Sequence, residues 1–284
     1  MMAKKILIPT DGSDYGNIAI EYGIYIAKRL TAQLIALHVM DIRLLQAPVF
    51  TDISGSVGLP PYQEFLPLLQ GSLNEWADTI LQAFKTKCEE AGLESEMKKS
   101  VGVIDETIIE EGKNTDWILL AQRGEHFHFG EGILGSTAEA VIRKSGKPVI
   151  VTPKTFREIE SMGLAYDGSG PADHALALAV ELSENASWPL TIIIITSDHS
   201  LAARLTRKIE DFLEPYKLEP HKVDSEIIIL TGKEDREIIK FIHEGSIELM
   251  VMGAYGHNRL RELILGSTTS HVIRKSTIPV LLTR

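Results

Sequence analysis

The sequence predicts an α/β protein made of two tandem copies of a doubly wound, five-stranded parallel sheet of Rossmann-like type. Three observations predict it. Short apolar runs alternate with stretches of helical periodicity, the pattern of βαβ units and a parallel sheet. An eleven-residue block recurs: Gly135-Ser136-Thr137-Ala138-Glu139-Ala140-Val141-Ile142-Arg143-Lys144-Ser145 aligns with Gly266-Ser267-Thr268-Thr269-Ser270-His271-Val272-Ile273-Arg274-Lys275-Ser276, with eight columns identical. An Asp-Gly-Ser also recurs near the start of each half, at Asp11-Gly12-Ser13 and Asp167-Gly168-Ser169. Matches in the same order mean duplication. The halves are read as residues 1–157 and 158–284, joined near Lys154 to Glu160.

The elements of the first half follow in order. Lys5 to Pro9 is a short apolar strand. Tyr15 to Leu30 carries apolar residues at helical spacing, and Gln33 to Val39 is the second strand. Asp41 to Glu75 holds four prolines and three glycines and reads as a long surface loop with no counterpart in the second half. Leu73 to Ala91 is helical by periodicity, Glu94 to Val101 a strand, Ile104 to Glu111 a helix and Trp117 to Ala121 a strand. Ser136 to Ser145 is a helix, and Val149 to Thr152 the last strand. In the second half, Thr191 to Thr196, Glu226 to Leu230, Leu249 to Gly253 and Val280 to Thr283 are the matching strands. Such sheets bind ligands beyond the carboxyl ends of the strands, where the strand order reverses.

Composition narrows the class. Hydrophobic residues make up 44% and charged residues 24% of 284, enough apolar material for cores without metal or disulfide staples. The single cysteine, Cys88, forms no internal disulfide, which fits a reducing compartment. Only Ile6-Leu7-Ile8 precedes Pro9, too short for a signal-peptide core, and no apolar run approaches a membrane span. A cytoplasmic protein without membrane association is expected. The net charge is −10, shared as −4 and −6 between the halves, which argues against a nucleic-acid partner. A small anion is still accommodated, because helix-end amides hold it without a basic surface.

The chemistry concentrates in one motif. Gly253-Ala254-Tyr255-Gly256 follows the fourth strand of the second half; nine residues later Gly266-Ser267-Thr268 opens a helix. Glycines let a backbone approach a ligand closely. Ser267 or Thr268 stands where a helix N-cap is wanted, beside free amides and the positive end of the helix dipole. Arg259 and Arg261 add charge in the intervening loop. There is no Walker lysine motif.

This constellation resembles the universal stress protein family, whose nucleotide motif is Gly, two residues, Gly, nine residues, Gly, then Ser or Thr. With the Asp-Gly-Ser in each half and the duplication, nearly the whole chain is similar to the tandem type. The resemblance implies five parallel strands per half with helices on both faces, and ATP or AMP as ligand, with magnesium as a companion. It places Asp167 near the ribose or adenine. Ala165 and Tyr166 would line the adenine, as would Ile195 or Thr196, and Met252 and Gly253 would flank base and ribose. Gly256, Gly266, Ser267 and Thr268 would bind the phosphates. The family's last strand commonly pairs with its counterpart, so Val149–Thr152 and Val280–Thr283 are expected to pair antiparallel within the chain as a pseudo-dimer. Two chains associating into a homodimer is a weaker expectation, and the protein partner is unspecified.

The first half departs from the motif. Ala121 replaces the first glycine, where its methyl would obstruct the ribose, and ten residues separate Gly124 from Gly135. Glu125 and Glu131 lie in that loop and would repel phosphates. Asp11 and Gly12 remain as an inherited turn. His126 and His128 are the one metal-like pair, and two ligands do not make a zinc site, so a solvated loop is the expectation. There is no Gly-x-Ser-x-Gly elbow and no His-Glu-x-x-His. A binding and signalling module is therefore the main expectation. The alternatives are a slow metal-assisted ATPase or phosphotransferase, and a nucleotide-independent scaffold or small-ligand carrier acting through the first half.

Overall fold

The computed structural model describes residues 4–45, 62–124, 134–218, 222–254 and 265–284; the side chains of 44–45 and 62–66 are excluded. The first half runs β1 (Lys5–Pro9), α1 (Asp14–Leu30), β2 (Gln33–Asp41), α2 (Ile42–Leu45), α3 (Tyr62–Glu90), β3 (Ser95–Gly102), α4 (Ile104–Gly112), β4 (Trp117–Ala121), α5 (Ser136–Lys144) and β5 (Val149–Thr152). The second runs β6 (Met162–Ala165), α6 (Gly170–Ala186), β7 (Leu190–Ile195), α7 (His199–Leu213), β8 (Ser225–Leu230), α8 (Glu234–His243), β9 (Leu249–Gly253), α9 (Ser267–Lys275) and β10 (Val280–Thr283).

All ten strands form one sheet in the order β3-β2-β1-β4-β5-β10-β9-β6-β7-β8. Pairing is parallel within each half. The central seam is antiparallel, with Ile150 opposite Leu281, which is the pairing the terminal apolar strands predict. Continuous apolar strands need cover on both faces. Helices α1, α3, α6 and α7 share one apolar cluster, and α4, α5, α8 and α9 the other. Because the halves meet antiparallel, the carboxyl ends of their strands lie at opposite edges of the sheet.

The connection between halves is clasped to α1. Phe156 packs on Tyr22 and Tyr25 with ring centroids 4.9 and 5.8 Å apart. The Tyr22 hydroxyl donates to the Thr155 carbonyl at 3.2 Å and accepts from the Arg157 amide at 3.1 Å. Tyr25 donates to Ile159 O at 2.7 Å.

The Asp41–Glu75 stretch is not one long loop. Ile42–Leu45 is helical, and α3 begins at Tyr62 with Pro67 inside it. Proline removes a single ladder bond. The residues that follow, Leu68 to Trp76, include good helix formers, and half-buried Leu69 and Leu73 continue the stripe of buried Ala77, Ile80, Leu81 and Phe84. The proline and glycine count therefore misread a helix extension as loop. Residues 46–61 lie outside the described set.

Candidate functional site

The strand order reverses between β6 and β9, so the second-half cleft opens at their carboxyl ends. Each side of the loop after β6 has a defined cause. Gly168 adopts φ +79°, and Ser169 caps α6 by accepting from the Ala172 amide at 3.3 Å. The exposed Asp167 carboxylate accepts from the Ser169 amide at 2.9 Å, an Asx turn.

Strand alternation sorts the expected adenine-side residues. Ala165, Ile195 and Met252 pack on the α8/α9 face, and Ala165 is in register with Met252. The structure brings these three together. Tyr166 goes to the opposite face, 3% exposed, with its hydroxyl donating to Asp173 Oδ1 at 2.5 Å. Its side chain is thereby committed and its amide donates to Ile193 O at 2.9 Å, so only its main-chain carbonyl is left for the cleft. Lys208 bridges to Asp173 at 2.7 Å. Burial, then the bond to Asp173, pushes the Tyr166 phenol up to about 12. Burial raises the Asp173 carboxyl, but its bonds to Lys208 and Tyr166 outweigh that and hold it below the usual range. Thr196 donates its amide to Leu230 O at 2.9 Å, and its hydroxyl accepts from the Asp198 amide at 3.1 Å. It shapes the turn after β7.

The glycines divide by role. A Cβ on Gly253 would lie 2.9 Å from the carbonyl carbon of Pro171 and 3.0 Å from the Ala172 amide nitrogen. Gly253 therefore lets α6 approach β9. Its first-half counterpart, half-buried Ala121, packs against the cluster that contains α1. Gly266 is different. Its φ is −56°, and an added Cβ would meet nothing nearer than Thr269 Oγ1 at 3.5 Å, ordinary van der Waals contact.

Gly266 itself is the N-cap of α9, which corrects the expectation of Ser267 or Thr268 in that place. Ser267 and Thr268 are the first two helical residues, exposed and half-buried, and the first-turn amides point out of the helix end. Thr269, which sequence reading missed, is 4% exposed and donates to Gly253 O at 3.4 Å, fixing the helix start to the end of β9. A third consecutive hydroxyl in Ser267-Thr268-Thr269 was the available signal. Gly256, Arg259 and Arg261 lie outside the described residues, as do Glu125, His126, His128 and Glu131.

In the first half, Asp11 Oδ1 accepts from the Ser13 amide at 3.0 Å and its hydroxyl at 2.6 Å. A Cβ on Gly124 would lie 2.7 Å from Asp11 Oδ2, so Gly124 lies against this carboxylate. Ala138 stands where the second half has Thr269. The end of β2 carries an acid–base pair, Asp41 with Arg43 at 2.5 Å, and the Arg43 hydrogen bonds hold the Asp41 carboxyl below its usual range. Among the described residues no cluster of three metal-type ligands occurs, and no helix is long and apolar enough to cross a membrane.

Comparison with known proteins gives consistent matches. The model of the universal stress protein family matches residues 2–153 and again 158–284. Universal stress protein Slr1230 of Synechocystis sp. is 34% identical over 290 residues, covering 98% of this chain and 99% of that protein. Universal stress protein MJ0577 of Methanocaldococcus jannaschii is 34% identical over 159 residues, covering 54% of this chain and 97% of that protein. The crystal structure of a universal stress protein from Archaeoglobus fulgidus superposes with a TM-score of 0.72 at 23% identity, covering 99% of this chain and 96% of that one, a shared fold.

Proposed function

The chain belongs to the universal stress protein family, and from that premise we propose that its second half holds one adenine nucleotide, ATP or AMP with magnesium, as a cytoplasmic binding and signalling module. The observation that carries this reading is Gly266. No close contact and no left-handed conformation calls for glycine there, since an added Cβ would make only ordinary van der Waals contacts, with Thr269 Oγ1 at 3.5 Å and Ala254 O at 3.9 Å, and φ is −56°. Close approach of a ligand to the first-turn amides of α9 supplies the physical reason. The donor set fits a nucleotide. Exposed Ser267 and half-buried Thr268 offer hydroxyls beside the amides, and the Ala165, Ile195 and Met252 face offers an apolar wall for a base. Gly256, Arg259 and Arg261 would complete the phosphate side.

The first half serves, in this reading, as a partner surface or a pocket for a less anionic ligand. Gly124 lies against Asp11, and the half lacks the Thr269 anchor. Both features disfavour phosphates at that end. Native mass spectrometry of the purified full chain tests the assignment. One adenine nucleotide per chain is expected. Two per chain, or saturation with ATP and magnesium that leaves the mass unchanged, overturns it.

A further inference from the structure

Gln122 joins the two halves at one residue. Its amide donates to Thr152 O at 3.0 Å, and its carbonyl accepts from the amide of Gly135, the N-cap of α5, at 2.9 Å. Its side-chain Nε2 crosses to the second half and donates to Ile273 O at 2.7 Å and Ser276 O at 3.2 Å. Those are the last carbonyls of α9, where a helix needs donors. The counterpart of Gln122 in the second half is Ala254, which has no side-chain donor.

Helix α9 therefore links the second cleft to a residue of the first half. Its nine residues, about 13 Å of helix, begin at the second cleft and end on a residue of the first. The reverse contact is made by Arg284, which follows β10 and donates to Arg143 O near the end of α5. A helix of about two and a half turns is short and stiff, so a displacement of its far end loads the Thr269 contact with Gly253 O at its start.

We propose that Gln122 couples the first-half cleft to phosphate affinity in the second. Displacement of Gly135 shifts the Gln122 carbonyl that its amide holds, and the side chain carries the shift to α9, whose opposite end faces the phosphates. The inference rests on the nucleotide reading for the second half and adds its regulation. Gln122 is a positioning residue, because it touches α9 and not the ligand. The first half is thereby a control input, acting without holding a nucleotide of its own.

Gly135 supplies the handle for a test. A Cβ there would sit 3.3 Å from the Gln122 carbonyl oxygen, tight enough to push it by a few tenths of an ångström. ATP with magnesium, and separately adenosine, are titrated into the full chain as wild type, Gly135→Ala, Gln122→Met and the double variant. Each single variant is expected to change ATP affinity about threefold or more, with adenosine affinity unchanged, because adenosine does not reach the α9 amides. In the Gln122→Met background Gly135→Ala should have no further effect. Additive effects, equal changes for ATP and adenosine, or unchanged ATP affinity overturn the coupling. If Gln122→Met does not fold, Gln122→Glu, of the same shape but repelled by both carbonyls, takes its place. If the wild type binds neither ligand, the nucleotide reading fails instead. Hydrogen exchange then decides the coupling: Gly135→Ala must alter exchange along Ser270 to Ile273 only where Gln122 is present, and unchanged exchange overturns it.

Discussion

Gly253 lies against Pro171 so closely that a Cβ on it would fall 2.9 Å from the proline carbonyl carbon. Backbone atoms cannot yield as a flexible side chain does. Gly253→Ala is therefore expected to destabilise the protein by about 1–3 kcal/mol by prising the start of α6 from β9. Denaturant unfolding measures this, and an unchanged midpoint would show that α6 shifts freely. Ala121→Gly, its mirror in the first half, removes a packed methyl and is expected to cost about 1 kcal/mol.

The two buried tyrosines give a pH prediction. Burial raises the Tyr22 phenol to about 12, and burial with the Asp173 bond does the same for Tyr166. Each folded value stands above the unfolded one, so the protonated form is the one the fold favours. The stabilisation is complete below the unfolded value of about 10 and is lost as pH rises through about 12. Thermal melting followed across that window should fall steeply, and Tyr166→Phe should flatten the fall. A Tyr166→Phe profile that superposes on the wild type contradicts the assignment.

The seam between halves is an energetic link. Ile150 and Leu281 are opposed across it and almost fully buried. Leu281→Ala is expected to cost about 2–5 kcal/mol, and probes in both halves should report the same loss in chemical denaturation. A loss confined to the second half would mean that the halves unfold separately.

Much of this was legible in the sequence, and the limits are physical. Strands β1, β4, β5, β9 and β10 are short apolar runs bounded by turn residues, so their ends could be read directly. The antiparallel seam was implied by the family resemblance, whose last strand commonly pairs with its counterpart, and two terminal apolar strands with uncovered edges agreed with it. The start of α3 was not legible, because Pro67 and the neighbouring glycines outweighed a weak amphipathic pattern. Which face a residue takes after a strand ends was also hidden: Tyr166 turns to Asp173, and the Ala121 methyl turns to α1. The Gln122 contact with Ile273 spans 151 positions and depends on how the halves dock, which no local pattern encodes.

The two Asp-Gly-Ser turns should differ in function though they share a shape. Asp167 and Asp11 each accept from the serine amide two residues on. Asp167→Ala is expected to weaken ATP binding about tenfold, the worth of one hydrogen bond to a ligand, while Asp11→Ala leaves it within about twofold. Calorimetry on variants shown folded by circular dichroism makes the comparison. Equal losses would place working nucleotide contacts in both halves.

The central claim is that the amides of α9 hold phosphate, and Gly266 tests it most directly. Among the described residues an added Cβ there meets Thr269 Oγ1 at 3.5 Å and Ala254 O at 3.9 Å, ordinary contacts, so the fold should tolerate it while the ligand should not. Calorimetric titration of ATP with magnesium into wild type and Gly266→Val, with thermal melting of each, separates the two. The account predicts a small fall in melting temperature, from the poorer N-cap that valine makes, and a loss of ATP affinity of about a hundredfold or more, as a blocked phosphate forfeits several charge-assisted hydrogen bonds. Undiminished ATP affinity in a folded Gly266→Val protein would contradict it.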